Sequence, residues 1–276
     1  MHFGASEWLA TAWALCLGIG LCSGFLAGLL GVGGGTVIVP ALILGARPLG
    51  IDADDAAPMA MATSMAIVIP TSISSARAHA ARGCIHWRAF KQLAPGIAAG
   101  ALAGTLLACA LSQRLPLAVF VGFALFAAGR LLIGSSRAGQ TGPACTLPGT
   151  AALVGRSVAI GLLSALAGVG GGLLSVPLLA RYIPVKPAIG TAAALGLPLA
   201  AAGLSGYLLA GHPKHCAVGC VGYVFLPGAV SISLAAIVSA PLGARVAHRM
   251  PVQALQRVFA ALLLLVAADL SVELFR

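Results

Sequence analysis

Four glycines in five residues occur twice in this chain: Gly31-Val32-Gly33-Gly34-Gly35 before Thr36 and Pro40, and Gly168-Val169-Gly170-Gly171-Gly172 before Leu173 and Pro177. Each glycine costs a helix about 1 kcal/mol relative to alanine, so these runs interrupt any helix that contains them. The chemistry open to such a break is anion binding. No side chain stands between a ligand and the peptide N–H groups, and helices resuming at Thr36 and Leu173 would offer unpaired N-terminal donors and a partial positive charge. Gly33, Gly34, Gly35, Thr36, Gly170, Gly171, Gly172 and Leu173 are therefore candidate substrate contacts. A nucleotide-binding loop fits poorly, because no lysine follows the glycines and no strand precedes them. The plain alternative is that the glycines only let helices pack closely.

Three hydroxyls downstream could complete such a site: Thr63 and Ser64 in the first half and Thr191 in the second, each expected mid-span. Their plain alternative is back-bonding to their own helix. Arg77 and His79 open a basic stretch that runs to Lys91 and includes His86. These residues read as interfacial anchors, with Arg77 and His79 as candidates for an anion vestibule or for proton coupling. His212, His215, Cys216 and Cys220 have metal-ligand types, but their spacing matches no closed four-ligand pattern. A solvated loop is the preferred reading, with no metal and no cofactor expected. The remaining cysteines, several of them mid-span, read as small apolar packing residues.

The elements that carry these residues must be membrane helices. The 276 residues are 60% hydrophobic and only 8% charged, with a mean hydropathy of +1.04, whereas soluble domains carry about 25% charged residues. Apolar stretches of about 20 residues, each able to cross the hydrocarbon as a helix, recur from Trp8 to Leu274. No period-2 alternation argues for a barrel. Sixteen Lys and Arg stand against six Asp and Glu, yet no basic run or aromatic platform points to nucleic acid. The N-terminus has no Lys or Arg before the first apolar stretch, unlike the start of a signal peptide.

The glycine motifs are one part of a repeat spanning the chain. Thr63 with Pro70 is echoed by Thr191 with Pro198, Pro95-Gly96 by Pro227-Gly228, and Arg114-Leu115-Pro116 by Arg249-Met250-Pro251. The expected organisation is a first transmembrane repeat (1–134), a polar linker (135–149) and a second repeat (150–276). If each half crosses four times from a cytoplasmic N-terminus, the Lys and Arg divide 9 inside to 7 outside. If each crosses an odd number of times from an external N-terminus, they divide 12 to 4, with only Arg47, Arg114, Lys214 and Arg276 outside. The positive-inside rule favours the second arrangement. The fold class read from the sequence is thus an all-α integral membrane protein of two inverted repeats. Each repeat is a Gly-broken hairpin (Trp8 to Gly45, Ser157 to Ile183) followed by three transmembrane helices, in the cytoplasmic membrane.

Paired Gly-x-Gly-Gly-Gly breaks followed by Val-Pro, with Ala62-Thr63-Ser64 and with His79 followed by Gly83 and Trp87, resemble the TauE/SafE family of sulfite exporters. The resemblance covers nearly the whole chain. It implies a secondary transporter of sulfur-containing anions, sulfite or small organosulfonates, usually working as an exporter. It also implies that the glycine breaks and Thr63, Ser64 and Thr191 touch the anion. The second half departs from the first, with Ala192 in the place of Ser64 and no clear partner for His79. An importer of similar anions and a membrane-embedded protein that transports nothing are the competing readings. No nucleophile with a base, and no metal constellation, marks an enzyme within the spans. The expected partners are a small anionic substrate and the lipid bilayer, with no nucleic acid; proton coupling and a homo-oligomer are left open.

Overall fold

Inside a bilayer a helix satisfies every backbone group from within its own segment, and apolar stretches of this length adopt it. The computed structural model describes residues 5–30, 35–45, 53–110, 114–133, 150–211 and 219–247, with 257, 260, 261, 263–268, 270 and 271. Among these residues, the first half holds α1 (Ala5–Leu30), α2 (Gly35–Leu44), α3 (Ala53–Ala80), α4 (Trp87–Ala110) and α5 (Arg114–Ile133). The second half holds α6 (Thr150–Leu166), α7 (Gly172–Leu179), α8 (Val185–Leu209) and α9 (Leu226–Ala247), and the described residues from 257 to 271 are helical too. Residues Ala56–Ala80, Trp87–Ala110 and Lys186–Leu209 are long and apolar enough to cross a membrane. The linker expected at 135–149 lies outside the described residues.

Two details differ from the sequence reading. The helices after the breaks begin one residue early, at Gly35 and Gly172, because the last glycine of each run takes the first helical position, where it needs no intrahelical N–H partner. The connection before α9 is also more than a loop. A two-stranded antiparallel ribbon, β1 (Cys220–Val221) and β2 (Val224–Phe225), turns at Gly222, whose φ of +57° suits the first position of a two-residue hairpin turn.

Helices from the two halves interlock. Gly20 of α1 lies against Ile232 and Ala235 of α9, and Gly24 against Ala236 and Ser239, so α1 and α9 run parallel. Gly96 of α4 meets Ser157 of α6, and Gly104 meets Leu162, so this pair also runs parallel. The third cross-half pair is antiparallel: along α3, Met65, Ser72 and His79 face Gly203, Gly196 and Gly190 of α8 in turn. Glycine at these contacts lets backbones approach, since lipid tails supply no hydrophobic force between helices. The outward faces remain apolar. On α9, for example, Val230, Leu234, Ile237, Val238 and Leu242 are all exposed, as residues facing hydrocarbon are.

The hydrogen bonds repeat the same exchange. Thr63 Oγ1 on α3 accepts from the N–H of Phe225, the residue before α9, at 3.0 Å. Thr191 Oγ1 on α8 accepts from the N–H of His86, the residue before α4, at 2.9 Å. Each threonine thus satisfies a donor at the threshold of a helix belonging to the other half.

Candidate functional site at the glycine breaks

The second break is fully described. α6 ends in a Schellman turn: Gly168 N–H donates to Ala165 O at 3.1 Å and Val169 N–H to Ser164 O at 2.9 Å. Gly168 holds φ at +63°, which glycine adopts without the Cβ penalty. Val169 is buried, Gly171 stands at the N-cap of α7, and no side chain caps that helix. The N–H groups of Gly170 and Gly171 have no hydrogen-bond partner among the described residues. This is donor-rich, side-chain-free backbone buried in protein.

In the first break, Gly33 and Gly34 lie outside the described residues, while Gly35 opens α2 and Thr36 is buried in its first turn. Gly35 sits directly on the second break. A Cβ there would stand 3.1 Å from Gly170 N, 3.2 Å from Gly168 O and 3.2 Å from Ser64 Oγ. Ser64 in turn donates its hydroxyl to Gly168 O at 2.9 Å. Gly35, Ser64, Gly168 and Gly170 therefore converge, although more than a hundred residues of chain separate the two runs.

The other sequence candidates fall around this point at different distances. Thr63 is buried and accepts from Phe225, and its own proton has no acceptor among the described residues. Thr191 lies in the second turn of α8 and not mid-span as expected. It donates to Pro187 O at 2.7 Å while accepting from His86. α8 meets the break at Leu199, whose Cδ1 lies 2.9 Å from where a Cβ on Gly171 would be. That is about two helical turns beyond Thr191. Gly172 and Leu173 supply the first turn of α7.

Arg77 is exposed and His79 half-buried at the end of α3, where a second Schellman turn closes on Gly83 (φ +64°) with Cys84 N–H donating to His79 O at 2.9 Å. His86 has a local role that its charge type did not suggest. Its Nδ1 accepts from Ala89 N–H at 3.1 Å and so caps α4. Beside it, exposed Trp87 stacks edge-on to Phe90. Cys220 is disulfide-bonded, which removes it as a thiolate ligand, and His212, His215 and Cys216 lie outside the described residues.

Two residues at the break were missed in the sequence. Ser164 and Ser175 are buried to 1% exposure, and neither hydroxyl has a partner among the described residues. They lie four residues before Gly168 and four after Gly171, and that even spacing about the glycines was the only local sign of them.

Residues 16–270, both breaks included, match the family model described as Sulfite exporter TauE/SafE. The chain belongs to the TauE/SafE family. It is a helical, multi-pass membrane protein, with three helices among the described residues long and apolar enough to cross a bilayer. It is 32% identical over 265 residues to a "Probable membrane transporter protein" of Haemophilus influenzae, covering 94% of this chain and 98% of the relative. A protein of the same description from Methanocaldococcus jannaschii is 29% identical over 238 residues, 83% of this chain and 84% of that one. No solved structure matches this TauE/SafE protein.

Proposed function

We propose that this protein is a secondary transporter that exports sulfur-containing anions, sulfite or small organosulfonates, across the cytoplasmic membrane. The observation that carries the reading is the convergence of the two glycine breaks, with Gly35 placed against Gly168 and Gly170 and with uncapped N–H groups at the start of α7. Such a site holds an anion through neutral donors and helix dipoles, each N-terminus worth about 0.3–2 kcal/mol. The family description supports the choice of sulfur chemistry and of export. In this reading Gly33, Gly34, Gly35, Thr36, Gly170, Gly171, Gly172 and Leu173 contact the anion through their backbone, and Thr63 contributes its free proton. Ser64 and Thr191 hold the break and the α3–α4 connection in place. Arg77 and His79 form the cytoplasmic vestibule.

The same reading takes the two halves as inverted repeats with the N-terminus outside. Three observations support it. The Lys and Arg divide 12 to 4 in its favour. The repeat-equivalent helices α3 and α8 pack antiparallel, whereas parallel repeats would run them in the same direction. With the N-terminus outside, the ribbon before α9 would lie on the outer side, and the disulfide of Cys220 suits an oxidising compartment there.

The test is flux in proteoliposomes containing purified protein, with labelled sulfite and labelled methanesulfonate and a pH gradient imposed in each direction. Saturable flux of at least one anion is expected. Flux of neither would return the protein to the class of membrane proteins that transport nothing.

A further inference from the structure

We propose that Ser164 and Ser175 bind the transported anion, and that with the N–H groups of Gly170 and Gly171 they make a single oxyanion pocket at the second break. The inference rests on the transport reading above and adds to it which residues grip the substrate and where.

A buried hydroxyl without a partner is costly, because it has given up water and gained nothing in return. Two such hydroxyls at one place are not what random packing leaves behind. Ser164 and Ser175 are each 1% exposed and unpartnered among the described residues. A Cβ on Gly171 would stand 3.6 Å from Ser175 Oγ and 4.0 Å from Ser164 Oγ, so both hydroxyls flank that glycine, and no bond joins them. The adjoining N–H groups of Gly170 and Gly171 are likewise unpaired among the described residues. Four donors therefore gather at the uncapped N-terminus of α7, with Leu199 closing the far side through the tip of a flexible side chain. This set suits a compact anion with several acceptor oxygens on one atom, such as a sulfite or a sulfonate head. It would serve a planar or cationic ligand badly.

The asymmetry follows from the repeat. At the offset of 137 residues that relates the glycine runs, Ser164 and Ser175 correspond to Ala27 and Ile38, neither of which can donate. Ser64, from the first half, already bonds Gly168 O at this same break. One anion binds at the second break, and the first break contributes by lying against it.

Isothermal titration of purified protein with sulfite and with methanesulfonate tests this, read beside melting temperatures with and without ligand. Ser164→Ala and Ser175→Ala should each weaken binding of the better ligand by about tenfold, the loss of one hydrogen bond to a charged group, and together by more. The unliganded melting temperature should hold or rise, because each change removes a buried polar atom that had no partner. Ser175→Thr, which keeps the hydroxyl, should bind within a few-fold of the native protein. Ser205→Ala, at an exposed serine whose hydroxyl donates to Ala201 O of its own helix, should change nothing. Native-like affinity in the folded double variant, with the native protein binding either anion, would overturn this inference and leave the transport reading standing. A lowered unliganded melting temperature with unchanged affinity would also overturn it, by assigning the serines to structure. If the native protein binds neither anion, the transport reading fails and this inference fails with it.

Discussion

Thr63 Oγ1 accepts the N–H of Phe225 at 3.0 Å, and the bond ties α3 to the threshold of α9 in the other half. Phe225 is itself 2% exposed, so its N–H has no recourse to water. Thr63→Val keeps the shape but orphans that donor, at a cost of about 1–3 kcal/mol. Thr63→Val should therefore melt lower than the native protein, and it should bind sulfite about tenfold more weakly if the free proton of Thr63 reaches the anion. Thr63→Ser retains both properties. Melting curves and titration on the two variants check this, and equal behaviour of the two would contradict it.

Ser64 presents a simpler case. Its hydroxyl is the partner of Gly168 O at 2.9 Å, inside a buried break where no water replaces it. Ser64→Ala should lower stability by about 1–3 kcal/mol, seen as reduced melting temperature in detergent. A variant as stable as the native protein would mean that the carbonyl finds another donor.

A side chain at Gly171 would point between Ser164 and Ser175 and against Leu199 Cδ1. Leu199 is flexible at its tip, so Gly171→Val should insert and fold while filling the space an anion needs. Flux in proteoliposomes should be lost at near-native abundance. Normal flux in folded Gly171→Val protein would remove the second break from the transport path.

Glycines of one helix can have opposite fates. On α6, a Cβ at Gly161 would collide with the backbone carbonyl of Ile97 on α4, whereas one at Gly155 meets nothing within 4 Å. Gly161→Ala should therefore push α4 and α6 apart and destabilise by about 1–3 kcal/mol, as overpacking does. Gly155→Ala should be neutral or stabilising by up to about 1 kcal/mol, the helix propensity difference. Thermal melting of the pair provides the comparison, and similar losses in both would refute the packing of α6 on α4.

Orientation can be read with an impermeant maleimide on a background without native cysteines. Asp54→Cys should be labelled in intact cells and Arg82→Cys only after permeabilisation. Arg82 is exposed in the turn after α3 and, unlike Gly83, has no positive φ that a cysteine would strain. The opposite pattern would reject an external N-terminus.

Much of this protein is written locally. Hydropathy over about 20 residues determines membrane helices, since the bilayer leaves the backbone no alternative. Two Gly-x-Gly-Gly-Gly runs determine where helices stop, and the helical starts at Gly35 and Gly172 fall within one residue of those expected. The motifs also sufficed to point to the family. Signals of this kind reside in neighbouring residues, so periodicity and composition reveal them. What faces what across the two halves is a different quantity, set by how helices cross tens of residues apart. Only the tertiary structure put Gly35 on Gly170, turned Thr63 toward Phe225 and left Thr191 near His86, two turns short of the break. It alone made His86 a helix cap and drew Cys220 into a disulfide. Ser164 and Ser175 show the limit most clearly: two ordinary serines in apolar helices, they gain meaning only because folding buries both hydroxyls beside Gly171 and gives neither a partner among the described residues.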